Sequence, residues 1–187
     1  MEVATYLLFA IGCLGATDIA FYHSFAHGIR SHPDSRLELI VHSLRGPTYA
    51  LLFLVVPNAA LHGMYFWGLI AVFVFDVTIS IVDFALERES RRFFGGLPSG
   101  EYVLHIILAM LFGAFVTAVC YGVGDWRNLP TQISYEPAGV PDLLRLVMAV
   151  MAVFVLFSGI QDGIAAYRLW GQPLRGKKRF SESDCGG

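Results

Sequence analysis

The chain has 187 residues, 56% of them hydrophobic and 15% charged, with a mean hydropathy of +0.59, which excludes an ordinary water-soluble domain. The formal net charge of −2 carries little by itself, because in so apolar a chain the loops that hold the basic residues matter more than the total. Cys13, Cys120 and Cys185 show no paired spacing, which argues against a disulfide framework or a thiolate zinc site.

The apolar runs predict an all-α, polytopic membrane protein. Spanning a hydrocarbon core of roughly 30 Å takes about 20 residues of helix. Five segments reach that length, at about 3–28, 36–57, 61–87, 101–124 and 142–170. The first carries Glu2 and no Lys or Arg ahead of its apolar run, so it is expected to remain as a helix and not to be a cleaved signal peptide. The second is the least apolar, with a polar first half and a Gly46-Pro47 pair expected to kink or divide it. Short links at 29–35, 58–60 and 88–100 favour antiparallel neighbours, hence an up-down four-helix transmembrane bundle. The longer link at 125–141, with three prolines, makes the fifth helix a more independent addition. Gly12, Gly15 and Gly113 are expected where helices approach closely.

Residues 1–170 thus form a transmembrane domain, and 171–187 a basic tail expected to be disordered. The tail's run from Arg175 to Arg179 suits anionic lipid headgroups; nucleic acid is not an expected partner. Five spans would put ten of the Lys and Arg residues on the side of the C-terminus and only Arg127 and Arg145 opposite, with Arg45 inside the membrane. The excess of basic residues predicts a cytoplasmic C-terminus and an outside N-terminus, as in a bacterial inner membrane.

Ionisable residues are concentrated where apolar segments meet. The stretch 22–45, YHSFAHGIRSHPDSRLELIVHSLR, holds His23, His27, His32 and His42, four of the six histidines. Such groups are costly at a membrane segment's end unless they act. Counted inward from that end, His27 and His23, Glu38 and His42, Glu87 and Asp83, and Glu101 and His105 form one i, i+4 pair on each of the first four helices. In an α-helix such pairs share a face, about 6 Å apart along the axis. Turned inward, they would gather four imidazoles and four carboxylates.

Imidazole with carboxylate suits iron, zinc or manganese. Eight candidate ligands exceed what one tetrahedral zinc uses, which predicts two ions, with iron preferred. The ligand chemistry resembles that of ferritin-like di-iron carboxylate bundles, in which facing helices supply Glu and Glu-x-x-His groups, although the spacing here is i, i+4 and histidine is more frequent. A deeper layer of Asp18, Arg45, Asp76 and Asp162 is expected to combine one arginine with three aspartates. In it Asp76 and Arg45 would tune charge and deliver protons.

Plainer roles compete at three positions. Ser35-x-x-Glu38 reads as a capping box, Glu101 fits a first helical turn, and Glu87 can pair with Arg91 at i, i+4. His32 reads as a solvated turn residue. His62, at the opposite end of the third helix, is excluded from the cluster.

The function expected is that of a membrane metalloprotein, a dinuclear iron oxidoreductase acting on a lipophilic substrate at the cytoplasmic side. An aromatic slot would admit an acyl chain or isoprenoid. Two alternatives are a zinc-dependent membrane hydrolase and a haem b-binding electron-transfer subunit of a larger complex, with His42 and either His105 or His23 as axial ligands.

Overall fold

The computed structural model describes residues 1–26, 28–90, 96 and 98–172, with the side chains of 23–26 and 87–90 outside the description. The basic tail at 173–187, and with it the expectation of disorder there, lies outside the described residues. Five helices carry the fold: α1 (Glu2–Asp18), α2 (Arg36–Val55), α3 (Met64–Ser90), α4 (Ser99–Gly122) and α5 (Asp142–Leu169). Two three-residue strands, β1 (Ala59–Leu61) and β2 (Ile133–Tyr135), join the links at one end. The chain is all-α in class.

Among the described residues, four stretches are long and apolar enough to cross a membrane: Glu2–Tyr22, Met64–Leu86, Ser99–Gly122 and Asp142–Leu169. These are the features of an integral membrane protein. The second helix does not join them. Arg36, Glu38, His42 and Arg45 make the first half of α2 too polar, and the helix packs along α5 on one side and α3 on another, with Leu37, Leu44, Leu51 and Leu54 left exposed. The remaining close pair is α1 with α4.

Helix α5 is therefore no independent addition: among the described residues its contact with α2 is the most extensive in the molecule. Small residues explain why. A Cβ on Gly46 would lie 2.9 Å from the Cα of Gly159, and one on Gly163 would lie 3.4 Å from the Cβ of Ser43. Gly159 and Gly163, one turn apart, let the two backbones touch. Pro47 neither divides nor ends α2, which runs unbroken from Arg36 to Val55. The carbonyl that Pro47 cannot serve with an N–H is that of Ser43, and it faces Gly159, where a Cβ would come within 3.3 Å. Gly15 and Gly113, by contrast, have no atom within 4 Å of the position a Cβ would take, so they are not at close helix approaches; they border a cavity.

The apolar core gathers towards the end that carries the strands, where Leu8, Leu52, Phe115, Val119 and Met148 are all fully buried and belong to one cluster. There β1 and β2 pair antiparallel, Ala60 opposite Ser134. The pairing is continued by Glu136 N–H donating to Asn58 O at 3.0 Å and Ala138 N–H to Pro57 O at 2.9 Å. Gly63 has φ +58°, and Thr131 fills the space a side chain would need, which seats the start of α3 under the second link. His62 is buried here, its ring edge-on to Trp126 at 5.6 Å and its Nδ1 3.3 Å from Gln132 Nε2. This hairpin end opposes the end where the α1–α2 and α3–α4 links lie, the linker end.

Before α2 the chain changes its winding. Residues Ile19–Ala26 continue α1 as a π-helix, and two single 3₁₀ turns, Ile29–Ser31 and Pro33–Ser35, follow. The 3.6-residue period behind an i, i+4 pairing is not the period of this segment, so His23 does not occupy the register that an α-helix would give it. The Ser35 side chain does not cap α2, so the capping box expected with Glu38 is absent.

Because the α2–α5 crossing rests on glycine, Gly46→Ala is expected to destabilise the detergent-solubilised protein by about 1–3 kcal/mol, read as a lower melting temperature. Gly68→Ala, at a position with no atom within 4 Å, is the control and is expected to leave it unchanged or slightly raised.

Candidate functional site

In the linker-end half of the helices the ionisable residues converge on one cavity. It has a volume of about 670 Å³ and takes residues from all five helices. Towards the hairpin end its wall is apolar, with Phe53, Phe112 and Met151; towards the linker end it presents Asp18, His42, Arg45, Asp83, His105 and Asp162. Of the eight residues that the sequence aligns at one depth, His42, Asp83 and His105 line this space, beside Asp18, Arg45 and Asp162 of the layer expected deeper. Acidic side chains are withdrawn from solvent throughout: Asp18, Glu38, Asp76, Asp83, Glu101 and Asp162 are each at most 6% exposed.

Charges so placed need partners, and the helices supply them in pairs. On α3, Asp83 stands between two bases of α2, with Oδ1 3.3 Å from Nε2 of His42 and Oδ2 3.3 Å from Nη1 of Arg45. Arg45 also reaches back along α3, its Nε 3.5 Å from Oδ1 of Asp76. The Tyr49 hydroxyl donates to the other oxygen of Asp76 at 3.4 Å, and the Arg45 guanidinium lies 5.6 Å from the centroid of the Tyr49 ring. Asp76 and Asp83 are seven residues apart, two turns on one face of α3, so one arginine serves both.

The other wall repeats the motif. His105 on α4 has Nε2 3.3 Å from Oδ2 of Asp18, the last residue of α1. Its ring is tilted 33° to that of Phe84 at a centroid distance of 5.5 Å. His105 also lies within electrostatic reach of Asp83, which couples the two walls. Beneath them Arg30 clamps α5: Nε donates to Asp162 Oδ1 at 2.6 Å, Nη2 to the Ser158 hydroxyl at 2.9 Å, and Nη1 to Gln161 Oε1 at 3.2 Å.

The two layers expected from the sequence are therefore interlocked and not stacked. Asp18, Arg45 and Asp76 are expected in the deeper layer, yet Asp18 binds His105 and Arg45 binds Asp83. Asp162 does not share Arg45; its cation is Arg30, from the link before α2. Of the eight expected ligands, His27 lies outside the described residues, as do the side chains of His23 and Glu87. Glu38 and Glu101 are buried in the first turns of α2 and α4, and Glu38 is within electrostatic reach of His42. Among the described residues, no group of three His, Cys, Asp or Glu side chains is arranged to hold a metal ion. The described residues alone thus do not make the dinuclear centre, which would need His23, His27 or Glu87 to complete it.

Sequence reasoning overlooks three participants. Tyr49 follows Arg45 by four residues, the spacing that puts it on the same helix face, so its signal is present. Phe84 reads as one more lipid-facing or packing aromatic. Arg30 reads only as a loop charge, because nothing in the sequence ties a link before α2 to Asp162 in α5.

No family model, no curated protein and no solved structure matches the chain. Its class rests on the fold and the buried polar cluster.

Asp76, 1% exposed, is the carboxylate whose loss should leave Arg45 and Tyr49 most poorly matched. Asp76→Ala is expected to cost on the order of 3 kcal/mol in thermal unfolding in detergent. Adding Arg45→Met should restore some of that loss, as a double-mutant cycle would measure.

Proposed function

We propose that the protein is an integral membrane oxidoreductase, or the membrane subunit of one. A lipophilic substrate enters the cavity between the helices and exchanges protons with the His42–Asp83 and His105–Asp18 pairs. One observation carries this: the cavity is apolar along its hairpin-end half and ends among ionisable side chains drawn from separate helices, the arrangement that binds a greasy molecule by a polar head. A histidine held by a carboxylate is a competent proton donor and acceptor near neutral pH. Arg45, joined to Asp76 and Asp83, sets the charge of the site.

The protein crosses the membrane five times, with α2 as the most polar span, its N-terminus outside and its C-terminus in the cytoplasm of a bacterium. Arg30 of the α1–α2 link and Arg36 at the start of α2, with Arg168 at the end of α5, support that orientation.

A metal centre is the second reading. The observation in its favour is the complete burial of Glu38 and Glu101, at 1% and 0% exposure, about one helical turn before His42 and His105. With His23, His27, Asp83 and Glu87 these would ligate iron, or zinc or manganese, and iron bound there would supply the redox equivalents.

Metal analysis and a visible spectrum of detergent-purified protein test both readings. About two irons per chain, lost on His42→Ala and His105→Ala, would establish the metal oxidoreductase. A single zinc would indicate a hydrolase, and a Soret band a haem b subunit. With no metal, co-purification of a lipophilic molecule that is lost on cavity-filling substitution is expected; protein with neither metal nor lipophile would overturn the proposal. A C-terminal reporter fusion active only in the cytoplasm is expected to give signal, and silence there would refute the orientation.

A further inference from the structure

Given the lipophilic-substrate reading above, the cavity also carries information on what its occupant's head must be. Each aspartate of the region already has a basic partner: Asp18 has His105, Asp76 has Arg45, Asp83 has His42 and Arg45, and Asp162 has Arg30. A carboxylate, phosphate or ammonium head would have to break up such a pair and strand its other member in an apolar interior, which is strongly unfavourable. A pure hydrocarbon, at the other extreme, would leave the polar end of the cavity without hydrogen-bonding matches. The head that fits is uncharged and carries hydrogen-bonding oxygens.

Two further features narrow it. The histidines stand on separate walls, His42 on α2 and His105 on α4, each backed by an aspartate at 3.3 Å, which suits a head with oxygens at opposite edges. Aromatic side chains line the space between, Tyr49 and Phe84 near the polar end and Phe53 and Phe112 beyond, and flat rings pack on such surfaces. The volume of about 670 Å³ exceeds a single ring and leaves room for a branched hydrocarbon tail along the apolar half.

We propose that this cavity is a binding site for a prenylated quinone or its quinol, the ring lying between His42 and His105 and the tail running towards the hairpin end. The histidine–aspartate pairs meet the two ring oxygens in either redox form, donating to a quinone carbonyl or accepting from a quinol hydroxyl.

Equilibrium binding to the full chain in phospholipid nanodiscs tests this, with a short-tail prenylated benzoquinone as probe and the isoprenoid alcohol of the same tail as comparison. Saturable binding of one quinone per chain is expected, at least about tenfold tighter than the alcohol, and weakened by about tenfold in His42→Ala and His105→Ala. Because those variants remove buried partners, Gly15→Leu and Gly113→Leu are made beside them: both positions open onto the cavity with no atom within 4 Å. These are expected to abolish binding while the melting temperature is kept. Equal affinity for quinone and alcohol, or undiminished quinone binding in the filled variants, would overturn the quinone assignment while the lipophilic-substrate reading stands. Failure of both probes to bind would overturn the two together.

Discussion

Asp83 holding both His42 and Arg45 is the interaction on which the arrangement of the helices depends. An arginine and a histidine on a helix cannot face lipid at mid-depth without a large cost, and α2 carries both within four residues. Its polar face is consequently turned to protein, with α3 supplying the acids and α5 covering another side, while Leu37, Leu44, Leu51 and Leu54 stay exposed. Asp76 and Asp83 are spaced so that a single α3 face meets Arg45 twice. Once α2 is fixed in that way, α5 can close over it only where side chains are absent, at Gly46, Gly159 and Gly163. The polar pairing and the glycine crossing are two consequences of one requirement.

That requirement also divides the molecule lengthwise. The apolar cluster around Leu52, Phe115 and Met148 packs the hairpin-end half, and the strand pair locks its links together. The linker-end half holds its helices by side-chain ion pairs that reach across a space, and a cavity remains between the α1–α4 pair and the α2–α3–α5 group. Close packing and long polar side chains are different ways of joining helices, and only the first excludes void.

Much of this is legible in the sequence, and what is not has identifiable causes. Helix number and approximate limits follow from apolar runs. The independence expected of α5 comes from the length of the link before it, but link length constrains neither packing nor partner; Gly159 and Gly163 are the better signal. The strands are invisible because Ala-Ala-Leu and Ile-Ser-Tyr are too short to alternate recognisably. At the site, residue depth along each helix groups His42 with Asp83 and His105 but assigns Asp18 and Arg45 to a deeper layer, whereas Asp18 meets His105 and Arg45 meets Asp83. Depth does not fix rotation about the helix axis, however, and rotation decides which acid meets which base. An arginine spans more than one turn, so residues expected in separate layers come to share a partner.

The chemistry expected of the cluster changes when its geometry is known. Histidine and carboxylate in equal numbers at one depth have the composition of a metal-ligand set, and composition alone cannot separate ligands from hydrogen-bonded pairs. The distinction lies in where the ring nitrogen points. In both His42 and His105, Nε2 lies 3.3 Å from a carboxylate oxygen, and at His105 the contact with Asp18 is a hydrogen bond. A carboxylate so placed is in the position that carboxylates commonly take behind ligating histidines, orienting the ring and raising its basicity. Asp83, within 3.3 Å of both His42 and Arg45, is shared between two bases of one helix, which ties the histidine to the charge network of Arg45 and Asp76.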